Sequence, residues 1–136
     1  MIRKPTLASA MTPFPLAIDL NAQVQEADQM MRKHGIHHLP VTDGRTIIGT
    51  LSAYDIAARA HHDMPVADCY VPEPYLVEID VPLETVLAEM AAHHLEATIV
   101  MRQGRLAGIF TQHDVCRTFA AFLHVVFPPP PDDEAA

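Results

Sequence analysis

The feature that most limits what this chain can fold into is a pattern that occurs twice. The stretch Gly108-Ile109-Phe110-Thr111-Gln112-His113-Asp114-Val115 is answered, 59 positions earlier, by Gly49-Thr50-Leu51-Ser52-Ala53-Tyr54-Asp55-Ile56. Each copy gives a glycine, a short β-type run, a hydroxyl residue and, three residues on, an aspartate followed by an aliphatic side chain. The same offset pairs Pro15 with Pro74, Ile18 with Val77, Asn21 with Asp80, Val24 with Leu83, Met31 with Met90, His34 with His93 and Val41 with Val100. An offset held constant through successive elements implies a duplicated supersecondary unit, and units this small bury a full core only by pairing.

Residues 1–10 show no period, and Pro5 argues against a helix from the first residue, so they read as an N-terminal arm. The first repeat spans 11–60. The prolines Pro13 and Pro15 mark a turn leading into a short strand over 16–20, and Asn21 is the expected N-cap of a helix whose apolar face is Val24, Ala27, Met30, Met31 and His34. Gly35 stops that helix. Two strands follow, joined by a turn at Asp43, Gly44 and Arg45, and then a short helix over 53–60. A polar connector occupies 61–69. The second repeat, 70–126, retraces this path, with Leu83, Val86, Leu87, Met90 and His94 on one helix face. Its last helix, about 112–126, carries an apolar stripe of Val115, Phe119, Phe122, Leu123 and Val126, more than one small unit needs, which is expected to pack on the other repeat or another subunit. Four prolines from Pro128 end it, and residues 127–136 read as a disordered, Pro-rich acidic tail. The fold class is therefore α+β, a two-layer tandem of β-α-β-β-α repeats with sheets packed against each other.

Composition narrows the function. With 136 residues, 49% of them hydrophobic, the chain can bury a real core. The net charge of −8, with only 9 Lys and Arg, lacks the basic footprint of a nucleic-acid or anionic-membrane binder. No apolar run is long enough to span a bilayer and the N-terminus lacks a signal-peptide pattern, so a cytoplasmic location is expected. The 2 cysteines, Cys69 and Cys116, make no disulfide framework and have no metal-type spacing. No recognisable nucleophile, phosphate-loop or acid/base frame is present, and the chain reads as non-catalytic.

The repeated hydroxyl-x-x-Asp has two readings. In the structural one it is a capping box: Ser52 or Thr111 accepts a bond from the third helical N–H while Asp55 or Asp114 reaches back. In the functional one, the helix N-terminus offers free N–H groups and a positive dipole end to a ligand, an outward-turned aspartate holds a ribose diol, and the glycine admits another backbone or a planar ligand.

The ordered set, present twice, closely resembles the cystathionine β-synthase (CBS) domain pair, or Bateman module. It consists of a lead-in like Met11-Thr12-Pro13, a segment like His34-Gly35-Ile36-His37-His38-Leu39-Pro40-Val41 and the Gly-x-x-Ser/Thr-x-x-Asp ending, over about residues 11–123. The resemblance implies a pseudo-twofold pair with two clefts for an adenosine-type ligand such as AMP, ADP, ATP or S-adenosylmethionine, no required cofactor, a homodimer, and an unknown regulated protein acting in trans. It places Asp55 and Asp114 on a ribose, Ser52 and Thr111 on phosphate or ribose, Pro15, Leu16, Pro74 and Tyr75 at the adenine slots, and His38, Leu39 and Pro40 in a wall. The position before each motif aspartate, often arginine in the family, is Tyr54 or His113 here, and Ala97-Thr98-Ile99 stands where the first copy has His38-Leu39-Pro40. With few cations near the motifs, AMP and S-adenosyl compounds rank above ATP.

Two rival functions use the same residues. One is a ligand-free dimerisation module whose motifs only cap helices. The other is a metal sensor built on the nine histidines, with His61, His62 and Asp63 as the candidate loop; adjacent histidines in a strand point to opposite faces, so neither His37-His38 nor His93-His94 chelates by itself.

Overall fold

The computed structural model describes residues 2–13, 16–59 and 63–131. In chain order these form α1 (Leu7–Ala10), β1 (Ile18–Asp19), α2 (Val24–His34), β2 (His38–Asp43), β3 (Thr46–Ser52), α3 (Ala53–Arg59), a 3-10 turn (Val66–Asp68), β4 (Val71–Pro72), β5 (Leu76–Glu78), α4 (Leu83–His93), β6 (Ala97–Arg102), β7 (Arg105–Thr111) and α5 (Gln112–Val126). The duplication is visible in the topology. β1 lies parallel to β2, with Ile18 opposite Val41, and β2 antiparallel to β3; β5 lies parallel to β6, with Val77 opposite Val100, and β6 antiparallel to β7. Even the bulges coincide, between Val41 and Thr42 and between Val100 and Met101.

Helix ends follow the same symmetry. Gly35 closes α2 in the left-handed region at φ 64°, and its mate His94 closes α4 at φ 52°, a conformation that costs a residue with a Cβ about 1–2 kcal/mol. His94 is thus a cap, not part of the α4 apolar face. Asn21 is not the cap of α2: Gln23 precedes the first turn without a side-chain cap bond, while the Asn21 N–H donates to Asp19 Oδ1 at 2.8 Å in a local turn.

The segments ahead of each repeat depart most from expectation. The N-terminal arm is not formless. A capping box between Thr6 and Ser9 starts α1, just past Pro5, and buries Leu7 and Ala10. They join the core of the second repeat, with Met11, Val77, Leu83, Val86, Met90, Val100 and Phe110. The chain then pairs Thr12 with Ile109 of β7. The connector does the converse: Val66 and Cys69 are buried in the first repeat's core with Ile18, Val24, Ala27, Met31, Leu39, Val41 and Leu51, and β4 pairs with β3, Pro72 opposite Gly49. Each lead-in therefore packs on the repeat it does not precede. This exchange explains the motif glycines. A Cβ on Gly49 would meet the Val71 carbonyl oxygen at 2.2 Å, and one on Gly108 the Thr12 carbonyl oxygen at 2.5 Å. At Gly108 the close approach is by backbone; at Gly49 the Tyr70 ring shares it, 2.4 Å from such a Cβ.

Both faces of each sheet are covered. Side chains alternate along a strand, and while Leu39, Val41 and Val100 face the helices, Pro40 and Ile99 on the opposite faces are buried as well. By contrast, the stripe on α5 finds little cover among the described residues: Phe119 is 57% exposed and stacks on Phe122 with ring centroids 6.5 Å apart.

Candidate functional site

The two hydroxyl-x-x-Asp motifs both form capping boxes. Ser52 Oγ accepts from the Asp55 N–H at 3.0 Å, and Asp55 Oδ2 accepts from the Ser52 N–H at 3.1 Å. At the head of α5 the Thr111 N–H donates to Asp114 Oδ2 at 3.0 Å and its hydroxyl to the same oxygen at 3.3 Å. The two carboxylates then diverge. Asp55 accepts from the Arg59 guanidinium at 3.1 Å at the surface. Asp114 is 1% exposed, and its Oδ1 accepts from the Thr12 hydroxyl at 2.9 Å and from Arg117 at 3.0 Å. Arg117 also donates to the Ala10 carbonyl at 2.8 Å. Oδ1 of Asp114 thus ties α5 to the exchanged arm while Oδ2 closes the cap; a ribose on it would have to displace Thr12, Arg117 or Thr111.

What the structure leaves open is a cleft of about 260 Å³ between the two repeats. One wall is Gly35, Ile36, His37 and His38, the αL cap of α2 and the start of β2. The other is Ile109, Thr111, Gln112 and His113 at the end of β7 and the first turn of α5, with Thr12 and Glu96 at the sides. The fold builds this opening because each sheet ends where its last helix begins, and the helix N-terminus of one repeat faces the helix–strand corner of the other. Ile36 and Ile109 supply apolar surface; the hydroxyls of Thr12 and Thr111, the three imidazoles and Glu96 supply polar contacts. Among the described residues the lining holds no lysine or arginine.

Of the residues singled out in the sequence, Thr111, His113 and His38 meet in this cleft, and Asp114 sits behind it, acting through Thr12 and Thr111. Leu39 and Pro40 do not line it: Leu39 is wholly buried in the first core and Pro40 under the opposite sheet face. Leu16, half-buried, packs on the first core, and Tyr75 packs on the second, where burial raises its phenol above the usual range. Pro74 is half-buried ahead of β5, and neither it nor Tyr75 reaches the cleft lining. Ser52 and Asp55 belong to the mate position, where Tyr54 stands 75% exposed. Pro15, His61 and His62 lie outside the described residues. Thr12, Ile36, Gln112 and Glu96 were missed; only the Met11-Thr12-Pro13 lead-in carried a hint of the first. Among the described residues no group of three or more His, Cys, Asp and Glu could hold a metal ion, and no helix is long and apolar enough to cross a membrane.

The imidazole of His38 is the least comfortable group in the cleft. Its Nε2 is covered, has no hydrogen-bond partner and lies 3.8 Å from Glu96 Oε2 across the gap. Burial pushes its pKa below 6.5, and the Glu96 carboxylate partly offsets that.

A pseudo-twofold pair of β-α-β-β-α units with exchanged lead-ins and a mixed cleft between them defines a tandem module of two like domains. Residues 7–62 and 66–121 each match the CBS domain family, and the chain belongs to that family as a domain pair. It is 31% identical over 93 residues to the inosine-5'-monophosphate dehydrogenase of Korarchaeum cryptofilum, a match over 68% of this chain that spans only 20% of that enzyme. Among solved structures it superposes on the CBS domain pair of protein MJ0100, in complex with 5'-methylthioadenosine and S-adenosyl-L-methionine, with a TM-score of 0.76 and 24% identity over 86% of this chain and 97% of that one. CBSX2, in complex with AMP, gives a TM-score of 0.70 and 23% identity over 85% and 96%. These likenesses establish the fold.

Proposed function

We propose that this CBS pair is a regulatory module that binds an adenosine-type ligand in the cleft between its repeats and passes occupancy to a partner protein. The observation that carries this reading is the cleft itself: apolar at Ile36 and Ile109, polar at Thr12, Thr111, Gln112 and His113, and assembled from both repeats, so that filling it alters how they sit together. The adenosine compounds held by MJ0100 and CBSX2 support that chemistry. Asp114 serves as a positioning residue: it orients the two threonine hydroxyls, which meet the ligand in its place. Because Glu96 is the one acidic side chain of the described lining and neither lysine nor arginine accompanies it, a neutral nucleoside or cationic S-adenosyl compound fits best, AMP next, and ATP least.

Thermal shift with S-adenosylmethionine, adenosine, AMP and ATP tests this. A ligand at 100 times its Kd stabilises the fold by about 2.7 kcal/mol, a rise of roughly 8–10 °C for a domain of this size. His113→Ala, at an exposed site, and Ile36→Arg should abolish the shift without lowering the apo transition equally. If no adenosine compound moves the transition, the motifs are caps and the module serves only to dimerise.

A further inference from the structure

The cleft is not symmetric about the pseudo-twofold axis. Moving each lining residue by 59 positions sends Thr111 to Ser52, His113 to Tyr54 and Thr12 to Val71, while His37 and Glu96 exchange places. His38 maps to Ala97. One imidazole, without counterpart in the second repeat, thus stands in the wall of the cleft, facing a carboxylate of the other repeat. Its covered, unpartnered Nε2 lies 3.8 Å from Glu96 Oε2, beyond hydrogen-bond length but within reach of an ion pair.

We propose that His38 and Glu96 form a proton-operated clasp across the cleft. When the imidazole is neutral, Nε2 stays covered and unpartnered beside the carboxylate; when it takes up a proton it is drawn onto Glu96, and the two repeats are held together at that point. A single proton from solvent is bound, on the imidazole. The other groups facing His38 are few. His37 precedes it on the same strand and opposes its protonation, while Asp55 at the head of α3 favours it but is itself paired with Arg59. His113 lines the far wall. Because burial of His38 outweighs the pull of Glu96, the clasp engages only under acidic conditions.

The clasp is a property of the unliganded chain; its consequence for ligand affinity rests on the proposed adenosine cleft. The two are tested apart. Imidazole NMR titration of the unliganded chain, with His38→Gln for assignment, should place the His38 midpoint below the ordinary histidine value and move it lower still in Glu96→Gln. The amide signals of residues 96, 97, 112 and 113 should move with that midpoint in the wild type and not in Glu96→Gln. A midpoint unchanged or raised by Glu96→Gln, or amides that do not follow it, overturns the clasp. Calorimetry with adenosine as the probe should then give affinity at least about threefold weaker near pH 5.5 than near pH 8, a dependence lost in Glu96→Gln. Absence of adenosine binding at both pH values counts against the ligand reading alone, and the titration still decides the clasp.

Discussion

Asp55 and Asp114 occupy equivalent positions and make the same local cap, so replacing each by alanine measures what the surroundings add. In Asp55→Ala the loss is the capping box, about 1 kcal/mol, and an Arg59 contact whose guanidinium is 56% exposed and contributes at most a few tenths. Asp114→Ala loses an equivalent cap. In addition it strands the Thr12 hydroxyl, a bond to a charged group of the kind that contributes about 1.5–3 kcal/mol, and releases Arg117, half exposed and contributing under about 1 kcal/mol. The expected costs are about 1–1.5 kcal/mol for Asp55→Ala and about 3–4 kcal/mol for Asp114→Ala. Urea unfolding followed by far-ultraviolet circular dichroism gives both values from shifts in midpoint at constant slope. The mechanism makes a second demand: Arg117 and Thr12 link Asp114 to the arm, so Asp114→Ala should also speed amide exchange at Met11 and Thr12, which donate to Leu7 and Ile109. Costs within 0.5 kcal/mol of each other, or protection unchanged at Thr12, would refute the argument that the buried network exceeds the cap.

Gly108→Ala and Gly49→Ala should each cost about 1–3 kcal/mol, since the new methyl must push a carbonyl of the exchanged segment aside; denaturation of both variants checks this, and wild-type stability in either would mean that the crossing backbone yields freely. Leu7→Ala should destabilise by about 2–4 kcal/mol and, because Leu7 belongs to the second repeat's core, exchange protection should fall first at β5 and β7 rather than at β2. For His38 the folded chain holds fewer protons than the unfolded chain below pH 6.5, so stability should fall as pH drops through that value towards the lower folded midpoint. The fall should be steeper in Glu96→Gln, which removes the partly compensating charge, and shallower in His38→Gln; pH-dependent thermal unfolding reads both.

Which of these features a sequence can show depends on whether their cause is local. The helix α2 and the hairpin of β2 and β3 follow from 3.6- and 2-residue periods, Gly35 and the turn at Gly44, all determined within a few residues, and the 59-residue offset transfers each to the second repeat. The exchange of lead-ins left no such trace, because segments as short as Val71–Pro72, or a lone bridge at Thr12, are too brief to show a period, and their partners lie in the other repeat. Gly49 and Gly108 did register as sites of close approach, yet only the packing identifies the visitor as the exchanged segment. The motif aspartates show the same limit from the other side. Their spacing fixes the cap, but whether a carboxylate then turns to solvent or inward depends on what covers it, and for Asp114 that cover is Thr12, brought 102 residues along the chain by the exchange. The candidate cleft and the arm are therefore one construction: the contact that buries Asp114 also sets a threonine hydroxyl in the cleft wall, so a change that loosens the arm should weaken the proposed binding even where no cleft residue has been touched.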